Sequence, residues 1–418
     1  VETISAMYQL MDHLSCMNRE MLPERIFYRK GTGALGYFQP YFSMSDYTCA
    51  DFLSDPERRT PVLARFSTFT GGSGSPDTAR DLREFSVRFY TRQGNFDLMG
   101  RSLPVFFISD PEKLTLLHRS IHADKATNLN SATQFWSFVA DHPESIHLIL
   151  WLFSDLGTMK SYRTMPGYSN HVHHWVNKKC DDMLVRYEWS PKLGVKTITR
   201  QEAEFLAGYD PDVAIRDLHE TLAEGGKVEY ELTVHLLPRK RVSELDPYLD
   251  PTKGWPAEAG ERCSIGTLVL DRNPDDYVTE IDHCAFSPGN LVPGIKACED
   301  AMQQAMIHLY QDSNRYRLGH CYQQLAVNRS VSQDRSMPVQ STSLPLKSST
   351  GPATGSGIPL PQVKDHIPHW NEKEKKRVVD NILEHLMFVE DEVQKRVLSH
   401  LMEADLDLGI RIRSGLSF

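Results

Sequence analysis

The sequence predicts an α+β chain built on a large antiparallel β-barrel, and three observations carry that reading. Val228, Tyr230, Leu232, Val234 and Leu236 alternate with polar neighbours, the period-two pattern of a strand with one buried face. Short runs rich in β-branched and aromatic residues, Val62–Thr68, Ser86–Thr91 and Cys263–Leu270, repeat the strand signal. Helical spacing is concentrated elsewhere, near 132–153, near 201–224 and in the last fifty residues. Many strands, most with one wet face, favour a sheet that closes on itself.

Taken in order, residues 1–24 form an N-terminal helical arm, with Ile4, Met7, Tyr8, Leu10, Met11 and Leu14 at helical spacing and Pro23 ending the run. Residues 25–270 make the barrel, interrupted by the helical insertions. Residues 271–370 form a further segment in which 298–312 is a helix ending near Tyr310, with Arg315 and Arg317 just beyond. Within it, 330–369 is rich in Ser, Thr, Pro and Gly and lacks periodicity, the composition of an extended arm or loop. Residues 371–418 form a C-terminal helical segment with two apolar stripes. One stripe is Val378, Val379, Ile382, Leu383, Leu386 and Met387; the other is Val393, Val397, Leu398 and Leu401.

The 418 residues are long enough for a large core. A formal charge of -9 argues against a nucleic-acid partner. Seven scattered cysteines without CxxC spacing suggest neither a zinc site nor a disulfide framework, so a reducing intracellular compartment is expected, cytoplasmic or peroxisomal. No apolar run approaches the ~20 residues that span a bilayer, so no membrane partner is expected. The C-terminal Gly415–Phe418 is not a Ser-Lys-Leu signal, and a chain that starts at Val1 leaves an N-terminal address open.

Tyr310 is the residue with the most chemical content. A buried phenolate is a hard anionic ligand that suits ferric iron, and tyrosine is one of the few axial ligands that proteins offer to haem. The stretches Arg272–Tyr277 and Tyr310–Gly319 resemble the proximal-ligand signature of the haem catalases. Further blocks are similar to that family in the same order: Pro23–Phe38, Arg65–Thr68, Gly74–Asp81, Gly94–Leu98, Pro104–Ile108, Pro143–His147 and Ala285–Ile295. The resemblance implies a catalase-like fold, with an eight-stranded antiparallel barrel, a wrapping arm, a C-terminal helical segment and one haem b. It also implies Tyr310 as the iron ligand and Arg25, Arg65 and Arg317 as partners of the haem propionates. Arginine suits that task because its fork binds carboxylates bidentately and keeps its charge when buried. By the same resemblance Phe106 lines the distal pocket, Phe286 and Met302 lie near the haem, and Ser67 stands beside the distal base.

The chain departs from the family pattern at the chemistry. The distal histidine falls on Tyr28, the distal asparagine on Arg101, and the arginine one turn before the ligand tyrosine on Met306. Splitting the O–O bond of peroxide needs a base that takes a proton and returns it; histidine, with a pKa near 6.5, suits this and tyrosine, near 10, does not. Arg101 is a fixed cation that suits a bound oxygen anion or a substrate carboxylate. Without a cation at position 306, the phenolate donates more charge to iron. His171 and Asp300 match outer members of the same network. His147 and Trp255 match positions that contact NADPH in some relatives, but Leu156 and Ala257 break that pattern, so NADPH is not expected.

The leading expectation is therefore a haem-dependent oxidoreductase with impaired peroxide dismutation that oxidises a small organic substrate with O2 or a reduced oxygen species. The chain is similar in this to the catalase-like enzymes of fungal secondary metabolism, such as the chanoclavine-forming oxidative cyclase of ergot alkaloid pathways. A weak catalase or organic peroxidase, using His13 or His122 as base, is one alternative. A non-catalytic haem protein or sensor is another. A homodimer is expected, with a tetramer as the second choice.

Overall fold

The computed structural model describes residues 2–242, 246–256, 259–330 and 370–416. Ala257 and the Ser/Thr/Pro/Gly-rich stretch beyond Ser330 lie outside the described residues. Eleven strands form one antiparallel sheet: β1 (Gly31–Pro40), β2 (Thr60–Thr68), β3 (Arg83–Thr91), β4 (Gly94–Leu98), β5 (Gly100–Arg101), β6 (Gly167–Ser169), β7 (His173–Val176), β8 (Asp182–Pro191), β9 (Val228–Pro238), β10 (Glu261–Arg272) and β11 (Ile295–Ala297). Eight of them close a ring in the order β1-β2-β3-β5-β6-β8-β9-β10, because β10 pairs with β1 and β8 with β9. Strands β4, β7 and β11 extend the sheet from β3 and β8. Closure leaves the ring no unpaired edge.

The expected strands fall inside β2, β3, β9 and β10. The alternating residues of β9 are all buried, and they pack into a core that includes Phe38, Phe66, Phe85, Phe89, Trp189 and Tyr230. The rings interlock closely: Phe66–Phe85 and Phe85–Tyr230 lie 4.7 Å apart between centroids. Such contacts contribute beyond the area they bury, by about 0.5–1.5 kcal/mol each. Strands do not fill 25–270 as evenly as the sequence suggested. Residues 102–166 are turns and helices, including α2 (Leu114–Ser120), α3 (Ala132–Asp141) and α4 (Ile146–Phe153). Helices α5 (Arg200–Tyr209) and α6 (Val213–Ala223) form the second insertion, and α7 (Asp246–Leu249) is a single turn.

The N-terminal helix α1 (Glu2–Glu20) stops before Pro23, and its Met7, Tyr8, Leu10, Met11 and Leu14 are all exposed. The C-terminal segment folds as α9 (Glu372–Leu386), α10 (Asp391–Ala404) and α11 (Leu406–Gly415), numbered after α8 (Ala301–Leu318). Both expected stripes are buried except Leu383, which is only partly covered, and Met387, which lies one residue past the end of α9 and is exposed. They pack with α3 and α4 in a second core.

The helix that carries Tyr310 is longer than the sequence suggested. It runs from Ala301 to Leu318, so Tyr310 sits in its second half and Arg315 and Arg317 are helical. Asp300 caps its start by accepting from the Met302 amide at 2.8 Å, and Gly319, at φ +84°, ends it.

Candidate functional site

The outer face of β1–β3 positions the site. Register places Gly33 beside Arg65 and Gly31 beside Ser67 on one side, and Ser86 and Glu84 beside the same two residues on the other. Side chains of one strand face alternate, so Arg65, Ser67, Glu84 and Ser86 share the face opposite the aromatic core. The segment after β10 lies over this face at close range: a Cβ on Gly33 would come within 2.4 Å of Ile281 Cδ1. The Tyr277 hydroxyl donates to the Gly31 carbonyl at 2.9 Å.

A small pocket lies beside this face. Its wall brings together Tyr28, Arg101, Phe106 and, from α8, Met302, Met306 and Tyr310, with Phe27, Phe69, Met99, Asn170, His171 and Pro288. Among the residues expected at the site, Arg25, Arg65, Ser67, Phe286 and Arg317 do not line it. Arg65, Ser67, Phe286 and Arg317 are buried and Arg25 is partly buried.

Tyr28 adopts a left-handed backbone conformation, φ +59°, which a bulky residue rarely takes. Its carbonyl accepts from Arg65 Nη2 at 2.8 Å, and its ring lies 5.2 Å from that of Phe69. Burial pushes its phenol well above the ordinary value; Arg101 pulls it down, but not enough. Tyr28 is therefore a hydrogen-bond donor at neutral pH and a poor base.

Arg101 is 5% exposed. Its Nε donates to Asn170 Oδ1 at 2.8 Å and its Nη2 to the Asn170 carbonyl at 2.9 Å, and the guanidinium lies over the Phe106 ring at 4.4 Å. Its Nη1 is buried without a partner. An unmet buried donor costs about 1–3 kcal/mol, more when charged. Burial lowers the pKa to about 10, so the group remains a cation at neutral pH.

Tyr310 packs with Leu63, Met99, Ile281, Cys284 and Phe286. Its phenol is held well above its ordinary pKa, by burial first and then by Glu84 and Tyr28, while Arg65 and Arg25 oppose. The Asn314 amide, one turn later, donates to the Phe286 carbonyl at 3.0 Å and fixes the helix against the covering segment. Phe286 itself lies under the Arg88 guanidinium, 5.2 Å from its ring. His171 Nδ1 contacts Asp300 Oδ2 at 3.3 Å, and both stand near the cavity with no arginine at position 306 to join them to Tyr310.

The three expected propionate arginines cluster, but two carboxylates of the chain already meet them. Asp282 Oδ1 contacts Arg25 Nη1 at 2.7 Å and Arg317 Nη2 at 2.9 Å. Burial raises its pKa, but the two cations outweigh that and hold it below the usual carboxylate value. Glu84 was not picked out from the sequence. Its Oε2 accepts from Arg65 Nη1 and from the Ser67 hydroxyl, both at 2.7 Å, and its Oε1 from Ser86 at 2.9 Å. Ser67 thus donates to Glu84. Arg317 Nη1 and Arg65 Nε are buried without partners.

These pieces fit an iron porphyrin. Tyr310 offers one oxygen ligand, and the spare N–H groups of Arg317 and Arg65 suit carboxylates at the rim. Among the described residues, no cluster of three or more His, Cys, Asp or Glu side chains is placed to hold a metal ion.

Of the other expected positions, His147 is buried with Nδ1 3.0 Å from the Thr252 carbonyl, and Trp255 donates to the Tyr248 carbonyl at 2.8 Å under the Arg186 guanidinium. His13 is exposed on α1, and His122 stacks on His118 with its Nδ1 2.6 Å from the His118 carbonyl. Neither His13 nor His122 lines the cavity. All seven cysteines are free, and no described helix is long and apolar enough to cross a membrane.

A family model described as Catalase matches residues 3–345, and one described as Catalase-related immune-responsive matches 362–416. A Methanosarcina barkeri protein named Catalase is 37% identical over 442 residues, covering 97% of this chain and 88% of the relative. Catalase-2 of Bacillus subtilis is 41% identical over 338 residues, covering 79% of this chain; the match spans about half (49%) of that longer relative. Among solved structures, catalase A from Saccharomyces cerevisiae superposes with a TM-score of 0.88 at 30% identity, covering 98% of this chain and 92% of that one.

Proposed function

The chain belongs to the catalase family, and on that premise we propose that it is a haem-dependent oxidoreductase in which efficient peroxide dismutation has been lost. It oxidises a small organic molecule with O2 or a reduced oxygen species. The observation that carries this reading is the cavity wall, where Tyr28 and Arg101 stand with Tyr310 and neither of the first two is a base at neutral pH.

A bound haem would supply redox chemistry at its iron. Tyr310 would be its ligand, after giving up the phenol proton that burial otherwise retains. Arg317 and Arg65 would hold rim carboxylates with their spare N–H groups. Arg101 and protonated Tyr28 present donors to an oxygen anion and are too weakly basic to take a proton from neutral peroxide. Loss of that transfer typically costs on the order of 10²–10⁴-fold in rate. The phenylalanines and methionines of the wall exclude water from the reacting centre.

A weak catalase or organic peroxidase is the second reading. It requires a base on the wall; among the described residues the histidine there is His171, which contacts Asp300. A haem sensor is separated from an enzyme by turnover. The reading's most specific form is oxidative cyclisation of the chanoclavine type in alkaloid biosynthesis, carried out by an intracellular homodimer. The test is substrate-dependent oxygen consumption by the haem-loaded protein across a panel of small aromatic amines and acids. Consumption that depends on one of them supports the reading; none, together with rapid oxygen release from hydrogen peroxide, overturns it.

A further inference from the structure

Arg101 has one edge to spare. Asn170 takes its Nε and Nη2 hydrogens, and Phe106 covers its plane. Those contacts fix the guanidinium and leave Nη1 buried without a partner, on a residue of the cavity wall. No carboxylate forms an ion pair with Arg101 among the described residues, in contrast to Arg25, Arg65 and Arg317. A desolvated cation with an open donor calls for an anionic acceptor. Tyr28, on the same wall, adds a second donor and no negative charge.

The surroundings define the rest of the ligand. Phe27, Phe69, Phe106, Met99 and Met302 line the cavity beside Arg101, an aromatic and thioether surface that favours carbon. An inorganic anion satisfies the cation and wastes that surface. A neutral amide or an amine does the reverse. We infer that the cavity binds an organic carboxylic acid, with its carboxylate on Arg101 Nη1 and its carbon skeleton against the phenylalanine and methionine wall. This rests on the haem-oxidoreductase reading and names its substrate class as a small organic acid.

The test is calorimetric titration of the haem-loaded protein with benzoate, its neutral counterpart benzamide, and nitrate. Benzoate is expected to bind at least tenfold more tightly than either of the others. Arg101→Asn is expected to weaken benzoate at least tenfold while keeping the haem absorption of the native protein. Arg101→Lys, which keeps the charge without the fork, is expected to lose less. No benzoate binding, equal binding of benzamide, nitrate binding as tight as benzoate, or equal losses in the two variants would each overturn the inference. Failure of the haem reading is a separate result: a protein with no Tyr310-dependent visible band fails it, whatever the benzoate titration reads.

Discussion

The two faces of strands β1–β3 come from the same stretches of chain and the same hydrogen-bond ladder, yet they hold opposite chemistry. The inner face is mainly apolar, with Ala34 and Phe38, Val62, Ala64 and Phe66, Phe85, Val87 and Phe89. On the outer face, Arg65, Ser67, Glu84, Ser86 and Arg88 are equally buried. Inward burial is favourable wherever the shape fits. Outward burial of charge is unfavourable unless each group is paired, and well-packed apolar residues often do as well or better. Stability alone therefore does not explain the outer face. Arg88, bound bidentately to Asp97 with both N–O distances at 2.7 Å, shows how completely such groups can be satisfied; the spare nitrogens of Arg65, Arg101 and Arg317 stand out against it.

Substitutions on the two faces should separate cleanly. The largest expected effect is on the outer side: Tyr310→Phe should remove the visible haem band of the purified protein altogether, with the far-ultraviolet circular dichroism unchanged. On the inner side, Phe85→Ala should cost about 3–5 kcal/mol in urea denaturation, because the cavity it leaves is walled by rigid rings. Haem-loaded Phe85→Ala should keep its absorption maximum, and a shift there would blur the distinction between the faces. Glu84→Gln sharpens it. Removing that charge frees Arg65 for a haem carboxylate, so transfer of haem to apomyoglobin should slow severalfold; faster transfer would show that Glu84 supports the haem instead. The smallest effect concerns pH. Arg101 is charged below its lowered pKa of about 10, so benzoate affinity should be flat near neutrality and fall only as pH rises through about 10.

The inner face was legible in the sequence and the outer one only in part. Alternation in β9 and the β-rich runs of β2, β3 and β10 pointed to the barrel because the period-two signal is local. Flanking motifs single out Tyr310, Arg65 and Arg317, which the fold brings near the same covered face. Glu84 is not singled out, because it reads as an ordinary polar strand position between Arg83 and Phe85. Only the register of β2 against β3 sets it opposite Ser67. The Arg101–Asn170 contact spans 69 residues and leaves no sequence signal. The end of α8 was placed too early, since nothing before Gly319 stops a helix there. The apolar spacing of α1 predicted the helix correctly, yet its apolar residues are exposed, because periodicity reports a face and not what covers it.

The central claim is that Tyr28 has replaced a working distal base. The direct measurement is oxygen release from hydrogen peroxide by the haem-loaded native protein and by Tyr28→His, in the same electrode at equal haem content. Slow release by the native protein, and an increase on the order of 10²–10⁴-fold in the variant, is the predicted result. Vigorous release by the native protein, with no gain from histidine, would contradict it.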